Sequence, residues 1–219
     1  MTVPAWGCYL ARVRLAVALT CALGMALALG CSKAEPERPP AAKAADTGNK
    51  ADDQSRFDRE RRPEVIVQVL GLKPGMMVAD IGAGTGLLTV HLVAAVAPGG
   101  HVVATDIDWS VLDRLRARMN AAGYDRLVER RVVKPTDPGL EPARYDAILL
   151  ARVDHYFEDR VAWLAKARLA LAKGGRLAIS NRVHHRAAAM RAAAAAGFEL
   201  VSETGTIPGE FVAVFEVKP

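Results

Sequence analysis

The stretch Val78-Ala79-Asp80-Ile81-Gly82-Ala83-Gly84-Thr85-Gly86 sets an acid and three alternating glycines at the end of an apolar run. Glycine takes backbone angles closed to other residues and lets a ligand come close to the main chain. A helix beginning after such a turn offers unpaired N–H groups to a polar or anionic group. The chemistry suggested is the docking of a nucleotide-like ligand. The spacing narrows the choice. The dinucleotide fingerprint needs a third glycine where Leu87 stands, and no Gly-Lys-Ser/Thr follows to make a phosphate-binding P-loop. A second group able to carry protons, Arg152, Asp154, His155 and Tyr156, sits where the apolar run from Tyr145 to Val153 ends, and His184 and His185 follow a later run. His155 is the preferred base among them, because a histidine titrates near neutral pH. A histidine packed under the following helix is the competing reading.

Bringing these residues together requires several strand ends on one edge of a sheet. Strand patterns at Met77–Ile81, His101–Ile107, Leu127–Val133, Tyr145–Val153 and Arg176–Asn181 alternate with helical patterns at 85–97, after the capping Asp108, at 158–172 and at 186–196. A short helix after Pro63 precedes them, and two strand patterns, Phe198–Glu203 and Phe211–Val217, close the chain. Lys73-Pro74-Gly75, Pro98-Gly99-Gly100 and Lys173-Gly174-Gly175 read as turns. This alternation predicts an α/β fold with an open, doubly wound sheet, in which ligands bind beyond the carboxyl ends of the strands.

Asp80-x-Gly82-x-Gly84-x-Gly86 resembles motif I of the class I S-adenosylmethionine-dependent methyltransferases. Val102-Val103-Ala104-Thr105-Asp106 ends in an acid as the second strand of that family does, Leu171-Ala172-Lys173-Gly174-Gly175-Arg176-Leu177 resembles its step into the fifth strand, and the last two strand patterns fit its closing hairpin. The likeness runs from about Pro63 to Val217. It implies a Rossmann-like, mostly parallel seven-stranded sheet with a C-terminal antiparallel hairpin, and S-adenosyl-L-methionine as cofactor. Asp80 and the backbone of Gly82, Ala83, Gly84 and Gly86 would hold its methionine end. Asp106 would accept from the ribose hydroxyls, Ile107 would pack on the adenine, and Asp137 would lie near the adenine amino group. Taken by themselves, the residues leave open a helix-capping role for Asp80 and turn roles for Asp106 and Asp137.

Methyl transfer from a sulfonium needs alignment and exclusion of water, with a base only where the acceptor must lose a proton. His155, flanked by Asp154 and Tyr156, is the expected catalytic group, while His184 and His185 are expected to face solvent. No HExxH spacing occurs and all three cysteines, Cys8, Cys21 and Cys31, lie near the N-terminus, so no metal site is expected. No lid insertion or nucleic-acid-binding module is evident, which points to a small molecule, or a group on a lipid or protein, as the acceptor, a small molecule first. The alternative is a methyltransferase-fold protein without turnover, serving as a binding or scaffold module.

The net charge of +5 is too weak and scattered to imply nucleic acid. Arg12 and Arg14 precede the uncharged run Leu15–Leu29 and then Gly30-Cys31-Ser32. This is a secretory signal, and Ala28-Leu29-Gly30-Cys31 resembles the lipobox of bacterial lipoproteins. The expected organisation is a signal peptide over 1–30, a lipidated Cys31 with a flexible tether to 55, and a methyltransferase domain over 56–219. Such a protein would be exported and lipid-anchored on the periplasmic side of a bacterial membrane. A start at Met25 would instead leave a cytoplasmic enzyme. Export and a cofactor made in the cytoplasm stand in tension.

Overall fold

In the computed structural model, which describes residues 50–219, the strand patterns pair into one seven-stranded sheet of order β3-β2-β1-β4-β5-β7-β6. The strands are β1 (Met77–Ile81), β2 (His101–Asp106), β3 (Val128–Val132), β4 (Tyr145–Ala151), β5 (Leu171–Arg182), β6 (Phe198–Thr204) and β7 (Glu210–Val217). The first five are parallel, and β7 runs antiparallel between β5 and β6. The strand order reverses between β1 and β4, which is where an open α/β sheet leaves a crevice at its carboxyl edge.

Central parallel strands must bury both faces, so they read as unbroken apolar runs. Val78 of β1, Val102 and Ala104 of β2 and Leu149 of β4 pack on one side with α2 (Pro63–Leu70), α3 (Thr89–Val96) and α4 (Trp109–Ala122). Ala79, Ile81, Ile148 and Leu150 point the other way, onto α5 (Arg160–Ala170) and α6 (Arg186–Ala195). The strict alternation along β1 and β4 is the period-2 geometry of a strand applied to two cores at once.

Several boundaries differ from the sequence reading for local reasons. The helix expected from residue 85 begins at Thr89, because Gly82, Gly84 and Gly86 all hold positive φ and the chain turns through residue 88. Lys173-Gly174-Gly175 lies within β5 rather than before it. There the register slips: Leu171 pairs with Tyr145, but Arg176 pairs with Ala147. A Cβ on Gly175 would stand 2.6 Å from the Tyr145 carbonyl oxygen, so the bulge needs glycine.

A helix not anticipated, α1 (Lys50–Arg61), precedes Pro63. The domain boundary expected at residue 56 falls inside it. Gln54 ties this helix to the fold, donating to the Leu87 carbonyl at 3.0 Å and accepting from Arg118 Nη1 at 2.7 Å. The expected signal, Cys31 and most of the expected tether lie outside the described residues. Among the described residues no helix is long and apolar enough to cross a membrane.

Candidate functional site

The site forms where β1, β2, β4 and β5 end. At β1, Asp80 is 2% exposed and accepts from the Thr89 hydroxyl at 2.7 Å, which makes it a partner of the first residue of α3. Burial, and secondarily the nearby Asp106 charge, push its carboxyl up to about 6 even against the Thr89 bond. The glycine turn is set by two contacts. A Cβ on Gly82 would lie 2.7 Å from Val153 Cγ2, and one on Gly86 would lie 2.7 Å from Leu115 Cγ.

Asp106 closes β2 and fixes the neighbouring turns. Its Oδ2 accepts from the Gly84 N–H at 2.9 Å and its Oδ1 from the Asp108 N–H at 3.1 Å. Each oxygen keeps lone-pair capacity for one further donor. Ala83 N–H donates to the Thr105 carbonyl at 2.9 Å, binding the glycine turn to β2.

Two clefts meet at this turn, and Gly82 lines both. One, of about 260 Å³, is walled by Asp106, Ile107, Asp137, Tyr156, Phe157 and Trp163. Ile107 leaves an apolar side chain 63% exposed there, a surface suited to a flat ring, and the buried Thr105 hydroxyl has no hydrogen-bond partner. Asp137 is exposed, and its side chain accepts from the Gly139 N–H at 3.0 Å, so it also makes the turn. The other cleft, of about 190 Å³, is walled by Phe57, Arg61, Asp80, Gly84, Thr85 and Ala151.

Beyond β4 and β5 the hydrogen bonds fix an orientation. The Arg182 N–H donates to Asn181 Oδ1 at 2.8 Å, so the Asn181 amide must present its NH2 the other way. That NH2 meets Asp154 Oδ1 at 2.6 Å and His155 Nδ1 at 3.0 Å. His155 Nδ1 is therefore an acceptor, and in the neutral ring the proton sits on Nε2. Burial first, then the Arg160, His184 and Arg182 charges, lower the His155 pKa against the opposing pull of Asp154. Asp154 itself is fully buried, 3.3 Å from Arg160 Nε, and orients Asn181 without facing a cleft. Tyr156 is 77% exposed on the rim. His184 is exposed as expected, but His185 is half-buried and stacks on His155 with centroids 4.4 Å apart and planes at 15°.

Sequence reading missed a buried ion cluster behind this rim. Glu210, at the start of β7, pairs through Oε1 with Arg61 Nε at 3.2 Å and with Arg152 Nη2. Arg61 Nη2, Arg152 Nε and Glu210 Oε2 are buried without a hydrogen-bond partner. Arg152 also holds a φ of 56°, left-handed backbone that a branched or long side chain rarely takes and that clusters at functional sites. No local pattern announces this group, because its members come from α1, the end of β4 and β7. Among the described residues no cluster of three or more His, Cys, Asp or Glu side chains could hold a metal ion.

Residues 79–177 match the family model described as a methyltransferase domain. Over that stretch, less than half of its length, the chain is similar to a methyltransferase domain. A ubiquinone/menaquinone biosynthesis C-methyltransferase, UbiE, of Burkholderia orbicola is 32% identical over 120 residues, covering 49% of this chain and 44% of that protein. The polyketide synthase component of lovastatin nonaketide synthase from Aspergillus terreus is 30% identical over 125 residues, covering 55% of this chain and 4% of that protein. The chain thus spans less than half the length of either relative. A SAM-dependent methyltransferase from Aquifex aeolicus superposes with a TM-score of 0.67 at 20% identity, covering 76% of this chain and 97% of that one, and shares the fold. The two clefts have room and chemistry for S-adenosylmethionine: an unpartnered buried guanidinium nitrogen and a buried carboxylate on one side of Gly82, and an acid beside an exposed apolar wall on the other.

Proposed function

We propose that this protein is a methyltransferase that transfers the methyl group of S-adenosylmethionine to a small-molecule acceptor. The observation that carries the reading is the pair of clefts joined at Gly82. A ligand with a nucleoside at one end and an amino acid at the other fits two such clefts. Asp106 and Ile107 would take the ribose and adenine, and Asp137 would stand at the far end of the same cleft. Asp80 would face the ammonium and Arg61 the carboxylate of the methionine end.

When bound, the cofactor supplies an electrophilic methyl carbon: the acceptor's electron pair forms the new bond, the carbon–sulfur bond breaks, and its pair stays on sulfur as a thioether. The chain's own residues orient the two molecules. The turn held by Asp106 and Arg118, which donates to the Thr85 carbonyl at 3.0 Å, fixes the position of the cofactor backbone partners. Trp163 and Phe157, stacked at 4.2 Å, wall off water on one side.

Export and lipid anchoring through Cys31 belong to the same proposal. They are supported by the basic start, the apolar run and the lipobox-like ending of the leader.

Titration calorimetry of the full-length protein with S-adenosylmethionine tests the cofactor; no heat at millimolar concentration would sink the assignment. Its pH dependence is a sharper check. Asp80 with a pKa of about 6 is half protonated at that pH, and only the ionised form attracts an ammonium. Affinity should be flat at about pH 7–8 and fall up to about tenfold per unit below 6. The free protein runs the opposite way: because the folded pKa is raised, the cost of burying this charge is relieved as pH falls through about 6. The cofactor's stabilising shift in Tm should therefore shrink on acidification, and an unchanged shift would remove Asp80 from the ammonium.

A further inference from the structure

Resting on the methyltransferase reading, we infer that Gln54 is a positioning residue for the amino-acid end of the cofactor: it bolts α1 to the glycine turn, and α1 docked there completes the wall of the Asp80 cleft.

The composition of α1 makes its docking depend on polar contacts. Of its 12 residues, Phe57 is the one large apolar side chain, and it is half-buried against the α2–α3–α4 side of the sheet. A helix of this length is marginal in water without a packed face. What holds α1 instead is a set of single side chains. Asp58 Oδ1 lies 2.8 Å from His91 Nε2 on α3, Arg61 pairs with Glu210, and Gln54 reaches the turn.

The Gln54 amide is oriented by its partners. Its Oε1 accepts from Arg118 Nη1 at 2.7 Å, and a guanidinium only donates, so the NH2 must face the other way. There it donates to the Leu87 carbonyl at 3.0 Å and to Asp58 Oδ1 at 2.8 Å. Arg118 in turn donates through Nε to the Thr85 carbonyl at 3.0 Å. One side chain thus accepts and donates at once, a combination that neither a carboxylate nor a cation supplies. Thr85 and Leu87 line the Asp80 cleft from the turn, and Phe57 and Arg61 line it from α1. Gln54 joins the two walls.

The two ends of the cofactor differ in their need for α1. Among the described residues, those lining the larger cleft include none from α1. The nucleoside side of the turn has its own support, Asp106 accepting from the Gly84 N–H at 2.9 Å. Arg118 reaches Thr85 from α4 without passing through Gln54. Loss of the Gln54 amide therefore releases α1 and leaves the turn standing. A ligand that needs the α1 wall then binds with an affinity scaled by the fraction of molecules in which α1 is docked.

Two probes separate the ends. S-adenosylhomocysteine fills both clefts, whereas 5′-methylthioadenosine carries the nucleoside thioether without the amino-acid end. Each is titrated by calorimetry into the full-length protein. Gln54→Ala should weaken S-adenosylhomocysteine by at least about tenfold, the size of one hydrogen bond to a charged group, and leave 5′-methylthioadenosine within about threefold of wild type. Retained 5′-methylthioadenosine binding also shows that the variant is folded. A parallel loss of both ligands overturns the inference, since it would make Gln54 a general support of the fold, and so does a loss of neither. A second measurement needs no variant. In the wild type, S-adenosylhomocysteine should slow amide hydrogen exchange across residues 54–61, and 5′-methylthioadenosine should leave it unchanged. Equal slowing by both, or slowing by neither, overturns the inference. Failure of S-adenosylhomocysteine to bind the wild type overturns the methyltransferase reading and the inference with it, whereas binding without the split between probes removes the role of Gln54 and leaves that reading standing.

Discussion

Glu210→Ala is expected to cost about 3 kcal/mol of folding stability, toward the lower end of the range for breaking a buried ion pair from one side. The Glu210 side chain is 2% exposed, and its loss strands two guanidiniums at once. They are not equivalent. Arg152 is 37% exposed and can turn its head group to water, whereas Arg61 is 11% exposed and cannot. Burial already lowers the Arg61 pKa, and Glu210 is the partner opposing that effect. Urea unfolding should show the midpoint falling with little change in slope. The partner test is the double variant Glu210→Met with Arg61→Met. Removing both charges should restore part of what the single change loses, because a buried charge without its mate costs more than an apolar pair of similar size. A single-variant loss under about 1 kcal/mol would mean that Arg61 finds water or another partner when Glu210 is gone.

The contrast between this cluster and the glycine turn explains what the sequence could disclose. Asp80 to Gly86 is local: acid, turn and strand end lie within seven residues, so type and spacing suffice. Asp106 was legible because it ends an apolar strand in register with β1, Ile81 pairing with Thr105. The start of α3 was placed four residues early because glycines fit a helical window by spacing, while their positive φ excludes them from the helix. The Lys173-Gly174-Gly175 turn was misplaced because a bulge and a turn use the same residues, and only the pairing of Leu171 with Tyr145 distinguishes them. Arg61 and Glu210 were invisible because α1 is polar, with no apolar face to mark it as packed, and its contacts are single long side chains. Likewise the stacking of His185 on His155 depends on where the turn after β5 aims, which no spacing encodes.

Asp106→Ala is expected to weaken S-adenosylmethionine binding by about two orders of magnitude, from two hydrogen bonds to a charged acceptor at roughly 1.5 kcal/mol each. The carboxylate has two tasks that the substitution removes together. It anchors the turn by accepting from Gly84 and Asp108 N–H groups, and on the proposed reading it accepts from the ribose hydroxyls. Asp106→Asn separates them in part. Its one carbonyl oxygen can accept from either Gly84 or Asp108, and its NH2 must then face the other N–H or the ribose, so affinity should be intermediate. Amide exchange at Gly84 resolves what affinity alone cannot. If the loss arose only from a loosened turn, exchange would accelerate in step with the weakening across Asp106→Asn and Asp106→Ala. If the ribose contact carries its share, Asp106→Asn should lose more affinity than its Gly84 exchange accounts for. An Asp106→Ala protein that binds within about threefold of wild type would take the ribose away from Asp106 and leave it a turn residue.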